Sequence, residues 1–241
     1  MRLLLFILLL SNLIKCQHGM LGVDISNNTA IPRVWTGKTN VFVGNSITYG
    51  YGVNKTERWT TRLSAAKGSL ETNLGINGQV LQNGTVCNRT IFDRNTIPTK
   101  TNNSLYLFIA FGVNDIGMNN GTFTPSGFQS TLTSTIDFAV NSRGWSYSDI
   151  VLLTQYYVSG WDAFAGSCGV TTAADSTRVE AYKQATINVA QAKHCILADI
   201  SGAMAASSNP SSLLLPDNIH PNPTGHQFIA DFFTSLNYTP Q

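Results

Sequence analysis

Charge is scarce in this chain. Asp, Glu, Lys and Arg together make up 12% of its 241 residues, with a formal net charge of +2. Lys and Arg never form a run, so the basic patch that a nucleic-acid partner favours is missing. Cysteine is rarer still, with four residues, and none sits in a Cys/His pattern with the spacing of a zinc site. His194-Cys195 alone does not make one. There is no internal repeat and no low-complexity linker. Beyond residues 3–10 no stretch is apolar enough to span a bilayer, which excludes an integral membrane segment.

The remaining composition is 43% apolar and otherwise rich in Asn, Ser and Thr, as in a globular chain with a polar, weakly charged surface. Met1-Arg2 followed by Leu3 to Leu10 has the length of a signal-peptide apolar core, too short for a membrane helix. Cleavage is expected near residues 16–19, after Cys16 or Gly19. Lys15 argues against a lipoprotein cysteine at Cys16. The expected organisation is a signal peptide at 1–19, an N-terminal extension at 20–38 and a single domain at 39–241. The mature protein is expected to be exported. Asn-x-Ser/Thr sequons at Asn27, Asn54, Asn83, Asn88, Asn102, Asn120 and Asn237 are either glycan acceptors of a eukaryotic secretory pathway or chance triplets in an Asn- and Thr-rich chain. Cys87, Cys168 and Cys195 remain after cleavage. They allow one disulfide and one free thiol without fixing the pair.

Strands and helices alternate along the chain. Asn40 to Val43 is a short apolar strand ending at Gly44. A helix is expected from Arg58 to Ala66 and a strand from Leu70 to Leu74. Leu105 to Phe111 is a continuous apolar run, the pattern of a strand buried on both faces, and Ile150 to Thr154 repeats it. Helices are expected over Ser126 to Val140 and Val179 to Ala192, with a last strand over Ile196 to Ile200. Asn222 and Pro223 form an N-cap and first turn, followed by an apolar stripe of Phe228, Ile229, Phe232, Phe233 and Leu236. Such alternation predicts an α/β fold with a mostly parallel sheet covered on both faces. Gln79 to Asn103 is polar and unpatterned and reads as a surface excursion.

In such sheets active sites form outside the carboxyl ends of the strands. Gly44-Asn45-Ser46 follows the first strand, Asn73-Leu-Gly75-Ile-Asn77-Gly78 the second, and Gly112-Val113-Asn114-Asp115 the Leu105 strand. The loop before the final helix holds Asp217-Asn-Ile-His220-Pro221 between two prolines. A serine hydroxyl needs a base within hydrogen-bond reach, and His220 is the candidate, with Asp217 to orient it. The Ser46 and Gly78 backbone N–H groups and the Asn114 amide are candidate oxyanion donors. Each motif alone is also an ordinary turn sequence; four in order at four strand ends carry the catalytic reading. Thr48 stands where Gly-x-Ser-x-Gly has its second glycine, which excludes the α/β-hydrolase elbow. His18, His194 and His226 are expected outside the chemistry, with His226 a surface or packing residue and His194 closing a helix. Tyr156, Tyr157, Trp161 and Phe164 form either a substrate-binding wall or part of the core.

These four blocks resemble those of the SGNH (GDSL-type) hydrolases, and the resemblance runs from about Val41 to Phe233. It implies a flavodoxin-like three-layer α/β/α sandwich and ester or thioester hydrolysis without metal or cofactor. The triad is then Ser46, His220 and Asp217, with Ser46, Gly78 and Asn114 as the oxyanion hole. Asn45 departs from the family, which has Asp before the nucleophile. The polar surface leads to the expectation of a secreted esterase acting on O-acetyl esters of carbohydrates, so the partner is a small-molecule or polysaccharide ester. The alternatives are a lipolytic esterase, lysophospholipase or thioesterase, for which the Gly225–Phe233 region with its Phe-Ile-Ala-Asp-Phe speaks, and a non-catalytic carbohydrate-binding protein on the same fold.

Overall fold

The computed structural model describes residues 33–84, 89–166 and 169–241. The expected signal peptide, His18, Asn27, Asn88, Cys87 and Cys168 lie outside the described residues. In chain order the elements are β1 (Thr39–Gly44), α1 (Ser46–Tyr49), α2 (Trp59–Lys67), β2 (Leu70–Asn73), β3 (Gln79–Val80), β4 (Thr90–Ile91), β5 (Ser104–Ala110), α3 (Val113–Gly117), α4 (Pro125–Arg143), β6 (Ile150–Leu153), α5 (Ser176–Lys193), β7 (Ile196–Ala198), α6 (Ile200–Ala205) and α7 (Pro223–Ser235).

Five strands form one parallel sheet in the order β2-β1-β5-β6-β7. This is the flavodoxin-like 2-1-3-4-5 winding expected of the SGNH fold. The chain winds outward from β1 to β2, then returns to the other side of β1 with β5. The switch point therefore lies between β1 and β5, whose last residues Gly44 and Ala110 are paired. Whatever follows those two strands is delivered to one crevice.

Strand side chains alternate faces, and the two halves of the core follow that alternation. Phe42, Phe108, Val151 and Ile196 pack on one face with Trp59 and Leu63 of α2, Met204 of α6, and Ile229 and Phe233 of α7. Val43, Leu107, Ile109 and Leu152 pack on the other with Leu132 and Ile136 of α4 and Tyr182 and Val189 of α5. Phe108 stacks on Phe42 at 4.6 Å and meets Phe233 edge-on at 5.5 Å. Truncating an aromatic so placed costs about 3–5 kcal/mol.

The last helix forms as its sequence dictates. Asn222 Oδ1 accepts the Gly225 N–H, Pro223 occupies the first turn, and Ile229 and Phe233 reach the core while Phe228, Phe232 and Leu236 pack at its margin. His226 is wholly buried, with Nδ1 accepting the Trp59 N–H at 3.2 Å, so it packs and has no surface role. His194 closes α5 in the left-handed region at φ +53°. Cys195 is a free, buried thiol, and burial pushes it up to about 12.

Three expectations are corrected. Residues 79–103 are not only a surface excursion. β3 and β4 pair in parallel, and Val80, Leu81, Phe92 and Ile97 are buried. The last strand stops at Ala198 rather than Ile200, because Asp199 accepts the Gly202 N–H at 3.0 Å and starts α6. The helix α3 stands directly after β5, where the sequence reads as a turn.

Candidate active site

Gly44 ends β1 where a side chain would collide with Thr48 and the Ala110 carbonyl; only glycine fits so close an approach. Asn45 caps α1, its Oδ1 accepting the Ile47 N–H at 3.0 Å. The departure from aspartate thus keeps the cap without its charge. Ser46 is the first residue of α1, where a helix leaves its N–H without an intrahelical partner. The second block is tied to this turn. Asn73 Nδ2 donates to the Thr48 carbonyl at 2.6 Å, and Asn73 Oδ1 accepts the Gly75 N–H at 3.0 Å. Gly78 sits at φ +71°, a backbone conformation that costs an ordinary side chain strain.

The third block clamps the second. Asp115, fully buried in α3, accepts the Leu81 N–H at 2.9 Å and the Gln82 N–H at 2.8 Å. Desolvation outweighs those bonds and pushes its carboxyl up to about 6. Asn114 Nδ2 donates to the Gln79 carbonyl at 2.9 Å. A single short helix therefore fixes the segment just after Gly78.

The fourth block is a tight loop. Leu215 N–H donates to the His220 carbonyl at 2.7 Å, and Asn218 turns at φ +58°. The Ser159 and Gly160 N–H groups brace it through the Asn218 carbonyl. Asp217 Oδ1 accepts the Ile219 and His220 N–H groups at 2.9 and 3.0 Å, and Oδ2 lies 2.7 Å from His220 Nδ1. Burial pushes the Asp217 carboxyl up, but the His220 N–H and ring and the Ile219 N–H outweigh it and hold it below its usual range. An ionised carboxylate accepts only, so Nδ1 carries the proton and Nε2 is left as the acceptor. Nε2 lies 2.9 Å from Ser46 Oγ.

Ser46, Gly78, Asn114 and His220 line one open cavity of about 220 Å³, and Asp217 stands behind His220. All five residues anticipated for the chemistry are thus brought to one place. Two polar side chains on its wall carry no sequence signal. Tyr51 lies over the His220 ring at 4.4 Å, and Arg89 enters from the segment before β4. Of the four aromatics after β6, Phe164 lines the cavity, Tyr156 belongs to the core, and Tyr157 and Trp161 pack against the core margin. Among the described residues no group of three His, Cys, Asp or Glu side chains converges as metal ligands would. No helix among them is long and apolar enough to cross a membrane.

Solved structures share this fold. The lipase/acylhydrolase from Enterococcus faecalis superposes with a TM-score of 0.61 at 20% identity, covering 81% of this chain and 93% of its own. A member of the lipolytic G-D-S-L family from Veillonella parvula gives 0.60 at 18%, covering 83% and 100%. An acetylxylan esterase from Geobacillus stearothermophilus gives 0.55 at 15%, covering 86% and 99%. No curated protein sequence matches the chain. The profile of the GDSL-like Lipase/Acylhydrolase family matches residues 42–228, from the second half of β1 into the last helix. With all four motif-bearing strand ends inside that match, the chain belongs to the GDSL-like lipase/acylhydrolase, or SGNH hydrolase, family.

Proposed function

We propose that this protein is a serine esterase that cleaves short-chain carboxylic esters, O-acetyl esters of carbohydrates above all, and that it acts outside the cell. The observation that carries the reading is the unbroken series from Ser46 Oγ to His220 Nε2 at 2.9 Å and from His220 Nδ1 to Asp217 Oδ2 at 2.7 Å. As Ser46 Oγ bonds to the ester carbonyl carbon, its proton passes to His220 Nε2, and Asp217 stabilises the imidazolium. The carbonyl oxygen becomes an oxyanion facing the Ser46 and Gly78 N–H groups and the Asn114 amide. Collapse breaks the bond to the alcohol, which takes the proton from His220. Water, deprotonated by His220, then releases the acid and restores Ser46.

Cavity size supports a small acyl group. About 220 Å³ is below the roughly 300–1,000 Å³ of sites that bury drug-sized ligands. Tyr49 and Tyr51 are about half exposed, Tyr51 on the cavity wall and Tyr49 just before it on the same turn. Tyrosines so placed offer an apolar ring and a hydroxyl to a polyol. The lipolytic alternative loses one support, because Ile229, Ala230 and Phe233 are core residues. Export rests on the apolar leader, and the sequon asparagines Asn54, Asn83, Asn102 and Asn237 are exposed, as glycan acceptors need to be.

Hydrolysis of p-nitrophenyl acetate by the purified protein and its loss in Ser46→Ala test the chemistry. Circular dichroism establishes that the variant is folded. No activity on any short-chain ester, or full activity in Ser46→Ala, sinks the mechanism. Rates on p-nitrophenyl esters of increasing acyl length, beside acetate release from acetylated xylan, test the substrate class. An optimum at acetyl is expected, and a long-chain optimum returns the lipolytic reading.

A further inference from the structure

Asn114 has more hydrogen-bonding groups than its proposed role needs. Its amide carries two N–H donors and an oxygen with two acceptor sites. One N–H is taken by the Gln79 carbonyl at 2.9 Å. The oxygen faces Arg89, whose Nη1 donates to Asn114 Oδ1 at 3.4 Å. The second N–H is left for the cavity, where Ser46 and His220 stand. Turning the amide over would set Oδ1 against a carbonyl and Nδ2 against a guanidinium, two repulsive contacts at once. Both partners therefore select the orientation that offers a donor to substrate.

We propose that Arg89 is a positioning residue of the oxyanion hole: it holds the Asn114 amide by its oxygen and strengthens the remaining N–H as a donor. This rests on the esterase reading above. A cation on an amide oxygen draws electron density from the nitrogen, so the far N–H donates better, as in other polarised hydrogen-bond chains. Arginine suits the task because its charge does not titrate. Its donor is long at rest and is expected to tighten as the oxyanion forms, as catalytic hydrogen bonds do. The side chain is placed from a distance, its guanidinium lying over the Phe164 ring at 5.5 Å. Arg89 comes from the segment before β4, Phe164 from the loop after β6 and Asn114 from α3, so Arg89 joins three separated stretches.

The test is a double-mutant cycle on p-nitrophenyl acetate, a neutral substrate. Asn114→Ala alone is expected to cost about 10²–10³ in kcat, the usual loss for one oxyanion donor. Arg89→Met, which keeps the stem and removes charge and donor, is expected to lower kcat about tenfold with KM nearly unchanged, a part of that donor's worth. The double variant is expected to be no slower than Asn114→Ala, because Arg89 acts only through that amide. Arg89→Lys restores a cationic donor and is expected to lie closer to wild type than to Arg89→Met. Multiplying losses in the double variant, an unchanged kcat in Arg89→Met, or a change confined to KM would each overturn the inference while leaving the esterase intact. If Arg89→Met unfolds, the comparison rests on Arg89→Lys against Asn114→Ala in the same cycle. A wild type inactive on every ester, equal to Ser46→Ala, overturns both readings together.

Discussion

At the scale of single residues, the proposed mechanism makes Asn114 decide how well the cavity tolerates negative charge. It is 4% exposed, so few waters can replace its N–H when an oxyanion forms beside Ser46. Asn114→Ala is therefore expected to lower kcat by about 10²–10³ and leave KM nearly unchanged, because the donor is used in the transition state. Steady-state kinetics on p-nitrophenyl acetate check this, and a change confined to KM would remove Asn114 from the oxyanion hole. Ser46, Gly78, Asn114, Asp217 and His220 were legible because each lies in a short motif whose conformation is set locally, by a cap, a turn or an i,i+3 hydrogen bond. Arg89 and Tyr51 were not. Arg89 reaches the cavity only because distant segments fold together, and Tyr51, whose N–H donates to the Ser46 carbonyl at 2.9 Å, follows the nucleophile turn with no motif that marks its ring as part of the wall. The same holds for the aromatics after β6: spacing could not tell that Phe164, a core residue like Tyr156, also lines the cavity.

At the scale of elements, the Gly78–Asn114 side of the cavity is a contact between α3 and the β3 segment, and Asp115 makes most of it. Its carboxylate accepts the Leu81 and Gln82 N–H groups, while Arg178 Nη2 and Nε donate to the Asp115 and Ile116 carbonyls at 3.2 and 2.9 Å. Asp115→Ala would strand two buried donors, at about 1–3 kcal/mol each. Urea unfolding is expected to read a loss of about 2–6 kcal/mol, the sum over both. The kcat should fall as well, since the segment following Gly78 loses its anchor. A variant with unchanged stability would mean that water or another acceptor serves Leu81 and Gln82. This element pair was the hardest to read in advance. β5 and β6 announce themselves as continuous apolar runs, whereas β3 and β4 are two residues each, too short for any period to show. Val80-Leu81 and Ile91-Phe92 are isolated apolar pairs and Ile97 stands alone, and only tertiary packing makes Val80, Leu81, Phe92 and Ile97 core.

At the scale of the whole molecule, two buried titrating groups pull stability in opposite directions with pH. Desolvation, helped by the charges of Arg62, His220 and Arg58, lowers His226 to about 3 from its ordinary 6.5. The unfolded chain therefore takes up a proton below about 6.5 that the folded one refuses. This contribution is complete above 6.5 and is lost as pH falls toward 3, at about 1.4 kcal/mol per pH unit. Asp115 is the reverse case, raised to about 6 from 3.8. Its folded form holds a proton that the unfolded chain releases, so its contribution is complete below 3.8 and is lost as pH rises toward 6. Over the shared window from 3.8 to 6 the two slopes have opposite sign and cancel. Glu71, Asp199 and Asp217, all held low by their partners, lose their contributions only toward the acid end. His226→Gln keeps an acceptor for the Trp59 N–H and removes the titration. Relative to wild type at pH 7, the variant is destabilised by lost packing. As pH falls from 6 to 4 that deficit is expected to shrink by about 1.4 kcal/mol per unit, since only the wild type still carries the His226 penalty. Urea denaturation of both proteins at pH 4, 5, 6 and 7 measures the difference and subtracts every group they share. Parallel curves would mean that His226 takes up its proton in the folded state as readily as in the unfolded one, against its burial behind α2.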